Sequence, residues 1–197
     1  MNYQTKILRL TLLIPALLLL SACGAMNAQN PGGKLSPVNA VANQAEDHLM
    51  LFGADVVEYF TAGRYVQGLP EYRSEYETVD FYFSSTANKQ LFDASPESYL
   101  PQYGGYCANG IAFGIPWGGN AQDFIVHEGK LYIFGGELSR KAFLLDLDKN
   151  LKLSDMYWQE EINNSNSFWR RGWRLLLRVP HYQTGAEQAE AVAKAEK

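Results

Sequence analysis

The chain has 197 residues, of which 47% are hydrophobic, and its net charge is −4 at pH 7. This length suffices for one domain with a substantial core. The negative charge excludes a general electrostatic attraction to nucleic acid, so we expect no nucleic-acid partner. With only two cysteines, one chain cannot build a multi-cysteine metal cage.

Residues 1–22 have the features of a secretory signal peptide. Lys6 and Arg9 give a positive start, and residues 10–20 form an apolar stretch that is short for a bilayer span. Ser21 and Ala22 are the small residues expected before a cleavage point. Removing this segment takes away two basic residues and no acidic one, which changes the net charge from −4 to about −6.

Cys23 directly follows the small residues, an arrangement that resembles the bacterial lipobox. In that pathway the thiol receives a diacylglycerol, the signal is cut before the cysteine, and the new amine is acylated. Each buried methylene contributes roughly 0.8 kcal/mol, so two or three chains form a lasting anchor. We therefore expect a membrane-anchored lipoprotein, and the alternative is an ordinary signal peptide with a chance cysteine. Gly24, where an Asp typically marks inner-membrane retention, favours the outer membrane facing the periplasm.

The mature chain is predicted to comprise a tether, one domain, a helix and a tail. Residues 23–46 are small and polar and predict a flexible tether. Residues 47–165 are aromatic and punctuated by turns, and they predict a small single domain of the α+β class. Residues 166–180 predict a basic amphipathic helix, and residues 181–197 a polar tail.

Within the domain, alternating and helical patterns follow one another in chain order. Two short antiparallel hairpins are predicted, from residues 72–76 with Val79–Phe83 and from residues 124–127 with Lys130–Phe134. Helical spacing, caps and Pro positions predict helices over Thr86–Ala94, Pro96–Tyr99, 138–146 and 151–162.

The helix over residues 168–179 places its cations and its large apolar side chains on different sides. At about 100° per residue, its four arginines fall within an arc of about 100°, opposite tryptophan and leucine. This pattern favours contact with an anionic membrane surface, and the alternative is a helix packed on the domain with arginine stems covering its edge. The candidate membrane-surface residues are Trp169, Arg170, Arg171, Trp173, Arg174 and Arg178.

The order of motifs over residues 50–135 resembles the YHS domain family, in particular its bacterial secreted lipoprotein branch. An aromatic segment at residues 52–60 opens the match, and Phe81-Tyr82-Phe83-Ser84-Ser85 with Asn88 follows. Pro96-Glu97-Ser98-Tyr99 and Tyr103-Gly104-Gly105-Tyr106-Cys107-Ala108 complete it.

The resemblance carries two implications for chemistry. Related YHS modules hold metal with cysteines, but here the matching positions are Val56, Ser84 and Asn88, so the usual thiolate site cannot form. The secreted branch points instead to Cys107 as a redox centre or a centre for a soft metal such as copper. With Cys23 consumed by lipid, Cys107 is the remaining thiol.

Cys107 allows three interpretations on its own chemistry. The two glycines before it precede residues 106–112, which can start a helix. The first turn of a helix favours a thiolate, so Cys107 is a candidate reactive thiol. As a candidate metal ligand it would take His48 as a partner, since soft ions prefer thiolate and imidazole. In the third interpretation it is a small apolar core residue beside Tyr103, Tyr106 and Phe113.

Three classes of function follow from these observations. The first is a non-enzymatic envelope module that binds a metal or small ligand at Cys107. The second is a thiol redox protein that uses Cys107. The third is a membrane-tethered scaffold for a protein partner. The sequence contains no recognisable set of catalytic residues from which a reaction could be named, so enzymatic activity is not expected.

Overall fold

The computed structural model describes residues 35, 37–42 and 48–197. This part of the chain forms a small α+β domain with seven α-helices and two small sheets, which confirms the predicted fold class. The predicted signal peptide, Cys23 and most of the predicted tether lie outside the described residues.

The larger sheet has four strands in the spatial order β1-β2-β4-β3. These are β1 (Ala40–Ala42), β2 (His48–Met50), β3 (Leu69–Tyr76) and β4 (Val79–Phe83). Strand β2 pairs antiparallel with β1 and parallel with β4, and β3 pairs antiparallel with β4. The β3–β4 pair is the first predicted hairpin. Its turn residues Glu77 and Thr78 both have positive φ, as a two-residue hairpin turn requires.

The second sheet is the hairpin of β5 (Asn120–His127) and β6 (Lys130–Phe134). Its two turn residues, Glu128 and Gly129, again have positive φ. Both predicted hairpins are therefore present.

The α-helices lie mostly in the C-terminal half of the chain. Ser85 caps α2 by accepting a hydrogen bond from the Asn88 backbone N–H at 3.2 Å, as its position predicts. One turn of π-helix, Trp158–Ile162, continues the fifth helix. The helices are α1 (Glu58–Thr61), α2 (Thr86–Ala94), α3 (Ala108–Ile111), α4 (Glu137–Leu144), α5 (Leu147–Tyr157), α6 (Ser167–Leu176) and α7 (Gly185–Ala195).

Strand β6 joins two hydrophobic clusters because successive strand side chains point to opposite faces. Leu131 and Ile133 pack with the four-stranded sheet, α2 and the Val56–Tyr59 region. Tyr132 and Phe134 pack with α3, α4 and α5. Each fully buried Leu, Ile or Phe side chain contributes about 1.5–3 kcal/mol, so this strand ties both halves into one unit.

The end of the predicted tether belongs to the domain. Val38, Asn39 and Ala40 are buried, and the Asn39 side-chain amide donates to the backbone oxygens of Gly105 and Gly119, at 3.2 Å each. The sequence prediction that the tether continues to residue 46 therefore needs correction over residues 37–42. The strand is only three residues long, too short to show strand periodicity, and its pairing with β2 fixes it.

The predicted polar tail also differs from the structure, because residues 185–195 form α7. Thr184 and Glu187 make a reciprocal capping box at its start. Val192 and Gln188 are buried, and the Gln188 side-chain oxygen accepts a 3.0 Å hydrogen bond from the Asn109 amide. One valine and one amide pair are a weak apolar signal, which explains why composition alone suggests an unpacked tail.

Candidate functional sites around Cys107 and on helix α6

The backbone before Cys107 makes a tight left-handed turn. Tyr103, Gly104 and Gly105 all have positive φ, between 54° and 78°. A Cβ atom on Gly104 would lie 2.4 Å from the carbonyl oxygen of Pro37, so only glycine fits where the N-terminal segment crosses this turn. The glycine pair therefore has a packing role that fixes the position of Cys107.

Cys107 is a buried residue at the start of α3, with 3% of its surface exposed. Its Sγ accepts a hydrogen bond from the Gly110 backbone N–H at 3.4 Å and lies 3.1 Å from the Ser139 hydroxyl oxygen. Its own N–H donates to the Trp117 carbonyl at 2.8 Å. The side chain is thus held by α3 and by the first turn of α4, and little of it faces solvent.

The structure gives Cys107 few partners for a metal. His48, the sequence-predicted co-ligand, lies in β2 opposite Ala42 and Val79. In residues 35, 37–42 and 48–197, no group of three or more His, Cys, Asp and Glu side chains is placed to hold a metal ion. Cys107 therefore has no such ligand group around it within that part of the chain.

Ser84 and Asn88 belong to a hydrogen-bonded carboxylate cluster, which we call the Asp55 network. The Asp55 side chain is fully buried and accepts hydrogen bonds from the backbone N–H groups of Val57 at 3.0 Å and Ser84 at 2.7 Å. The Ser84 hydroxyl donates to it at 2.7 Å and the Asn88 amide at 2.8 Å. The same Asn88 nitrogen lies 2.9 Å from a Glu58 carboxylate oxygen.

This network does not fit a thiolate metal site. Ser84 and Asn88 already donate to the Asp55 carboxylate, and no sulfur ligand stands at these positions. A buried carboxylate that accepts four hydrogen bonds is satisfied without a cation. The network holds the start of α1, the end of β4 and α2 together, which is a structural role.

Helix α6 packs on the domain with its arginine side. Arg170 and Arg174 both bind the Glu161 carboxylate, with Nη1 of Arg170 at 3.3 Å and Nε of Arg174 at 3.0 Å from Oε2. Arg171 donates from Nε and Nη2 to the Pro116 carbonyl oxygen at 3.1 and 2.8 Å, and its burial lowers the pKa of its guanidinium. Three of the four arginines in the predicted cationic stripe therefore bind protein groups.

The fourth arginine also contacts the domain, through an aromatic ring. The Arg178 guanidinium carbon lies 4.7 Å from the centre of the Tyr182 ring, within the range of a cation–π contact. The arginine side of α6 thus packs on the domain, as in the second of the two alternatives drawn from the sequence. The partners Glu161 and Pro116 were not predicted from the sequence, although the acidic pair Glu160-Glu161 before an acid-free helix is a usable signal.

The opposite side of α6 is an exposed apolar surface, which we call the Trp169 face (Trp169, Trp173 and Leu176). These side chains are 72%, 55% and 75% exposed. Together with Gly172, Ser165, Asn166 and Arg170 they line an open groove of about 590 Å³. Large apolar side chains exposed as a contiguous group on a helix indicate a contact surface.

A smaller cavity of about 210 Å³ lies where the N-terminal segment meets the π turn. Leu35, Pro37 and Val38 form one side, and Trp158 and Asn163 are among the residues opposite. The described N-terminal segment therefore begins close to the residues that lead into α6.

Among the described residues, no helix is both long and apolar enough to cross a membrane. Comparison with protein-family models, curated proteins and solved structures finds no match for this chain. The YHS resemblance stays a prediction from the motifs, and the function must be argued from the geometry.

Proposed function

We propose that this protein is an envelope lipoprotein whose YHS-like domain is tethered to the membrane by lipid on Cys23 and acts as a non-enzymatic module. The observation that carries this proposal is the exposed Trp169 face. The described N-terminal segment begins at a cavity that is also lined by Asn163, three residues before the cap of α6. A tethered domain with an apolar contact surface holds a position at a bilayer or presents itself to a partner there. This is the scaffold class of the three functions considered above.

The environment of Cys107 supports a structural role over a ligand site. Its exposed fraction is 3%, and its sulfur is enclosed by the Gly110 amide and the Ser139 hydroxyl. A soft metal such as copper at Cys107 with His48 stays a prediction from the sequence, with no ligand group among the described residues to support it.

A thiol redox function is the second candidate, because the Cys107 sulfur accepts a hydrogen bond from the Gly110 N–H and lies 3.1 Å from the Ser139 hydroxyl oxygen. A peroxide or a partner's disulfide would then be the oxidant, giving a sulfenic acid or a mixed disulfide. Rapid alkylation of native Cys107 supports this candidate, whereas labelling only after denaturation supports the scaffold class.

The absence of Asp after Cys23 supports the outer membrane, facing the periplasm, as the location. We expect the native protein to float with membranes after a high-salt wash and Cys23→Ser to be released into the soluble fraction. Cys107→Ser is the matched control, since it removes a thiol without touching the anchor. Equal flotation of Cys23→Ser and the native protein would contradict the lipid anchor.

A further inference from the structure

Helix α6 is held in one orientation by contacts on its arginine side. Glu161 binds Arg170 and Arg174, and these two arginine side chains are only 29% and 18% exposed. Arg171 makes a two-nitrogen contact with the Pro116 carbonyl on the same side. A helix pinned by three arginines cannot roll freely, so the Trp169 face must point away from the domain.

The groove carries one cation among neutral side chains. It is lined by Trp169, Trp173, Leu176, Gly172, Ser165 and Asn166, and by Arg170, whose guanidinium is bound to Glu161. Tryptophan and leucine beside polar residues match the boundary between headgroups and acyl chains, where tryptophan is enriched.

The chain length allows this surface and the expected lipid to reach the same bilayer. Leu35 and Pro37 line a cavity with Asn163, and Asn163 lies three residues before Asn166, which caps α6 and borders the groove. Cys23 and Leu35 are twelve positions apart, so the chain between them spans at most roughly 40 Å. A lipid on Cys23 can therefore reach the same membrane that the Trp169 face would contact.

We propose that the Trp169 face inserts into the interface of the bilayer that holds the lipid on Cys23, by apolar burial and without a requirement for anionic headgroups. This inference rests on the proposed function and names the second membrane contact. It differs from the electrostatic contact expected from the sequence, because Arg170, Arg171 and Arg174 bind Glu161 and Pro116. Two contacts at different points would fix the orientation of the domain on the membrane.

The strength expected for the second contact is modest. A few apolar side chains at an interface resemble a single short acyl chain, which binds reversibly. The contact therefore acts on a domain that the lipid already concentrates at the surface, as expected for two linked binding sites. This explains why Cys23→Ser should leave the membrane even though the Trp169 face remains.

The test uses the full mature lipoprotein reconstituted into phosphatidylcholine vesicles that contain brominated acyl chains, which quench nearby tryptophan. We expect quenching of the emission from two of the chain's four tryptophans. Trp169→Phe with Trp173→Phe should remove the quenchable part, whereas Trp117→Phe should leave it in place. The quenching should be unchanged by high salt and by added anionic lipid.

Several results would overturn the inference. Equal emission in brominated and ordinary vesicles would show that the face does not enter lipid. Quenching that needs anionic lipid would show an electrostatic contact. A stable dimer in detergent that depends on Leu176, or a protein partner that shields both tryptophans in vesicles, would identify a different occupant. Intact mass of the same sample reports the acyl chains on Cys23, so failure of the lipid anchor is seen separately from failure of this contact.

Discussion

Replacing Asp55 by Ala should strongly destabilise the domain. The fully buried carboxylate accepts hydrogen bonds from two backbone N–H groups, those of Val57 and Ser84, and both lose this acceptor in the variant. The Asn88 amide and the Ser84 hydroxyl retain Glu58 as a second acceptor, at 2.9 and 3.4 Å. Each orphaned buried donor costs about 1–3 kcal/mol, so two of them cost about 2–6 kcal/mol.

The assay is urea unfolding followed by circular dichroism, with thermal melting as a second readout. For a domain of this size, a loss in this range lowers Tm by roughly 10 °C. Asp146→Ala is the matched control, because Asp146 is exposed and makes no side-chain cap hydrogen bond; its effect should stay within about 0.5 kcal/mol.

Two outcomes would refute the reasoning about the Asp55 network. The first is an Asp55→Ala protein as stable as the Asp146→Ala control, which would mean that the carboxylate does not satisfy buried donors. The second is a loss of native stability on adding a chelator that Asp55→Ala abolishes, which would mean that the network holds a cation. We expect a chelator to leave the native unfolding midpoint unchanged.

Three further predictions test the packing around the two candidate sites. Gly104→Ala should lower the free energy of unfolding in urea by about 2–4 kcal/mol, because its Cβ would lie 2.4 Å from the Pro37 carbonyl oxygen. Gly63 also has positive φ but has open space around it, so Gly63→Ala should cost only about 1 kcal/mol. Burial raises the pKa of the Tyr106 hydroxyl to about 12. The contribution of this neutral hydroxyl to the free energy of unfolding is therefore complete below about pH 10 and is lost as pH rises toward 12, at about 1.4 kcal/mol per pH unit. A Tyr106→Phe protein should lose less stability between about pH 10 and pH 12. Glu161→Gln should destabilise α6 by about 1–2 kcal/mol, seen as easier proteolysis of the C-terminal region, and an unchanged cleavage rate would mean that the two arginines do not hold the helix.

Local patterns in the sequence predict the hairpins and capped helices well. The β5–β6 turn follows from alternating residues around Glu128-Gly129, and the start of α2 follows from Ser85 as a cap. Helix α6 is also predicted from periodicity, because its arginines and tryptophans separate cleanly. Each of these features depends on neighbours within a few residues.

Features that depend on distant neighbours were not predictable in the same way. The parallel pairing of β2 with β4, and the placement of Asn39 against Gly105 and Gly119, join segments far apart in sequence. The direction of α6 depends on Glu161 and Pro116, so the same amphipathic pattern allowed a free cationic stripe or a packed one. A helical wheel separates two faces but does not say which of them meets the protein.

The burial of Cys107 shows the same limit at the candidate site. The sequence predicts that Cys107 lies near the start of a helix, and in the structure it directly precedes α3. The structure adds that Ser139 and Gly110 enclose the Cys107 sulfur. Ser139 is 32 residues away, so its contact with the thiol follows from the packing of α3 against α4. The choice between a reactive and a structural thiol depends on that packing.

Mass spectrometry of the N-terminal peptide from membrane-extracted protein tests the central claim most directly. The account predicts that the mature chain begins at Cys23, that residues 1–22 are missing, and that the cysteine carries a diacylglyceryl group with a further acyl chain on its amine. An unmodified Cys23, or a mature chain that begins at another residue, would contradict the proposal that this domain is a membrane-tethered lipoprotein.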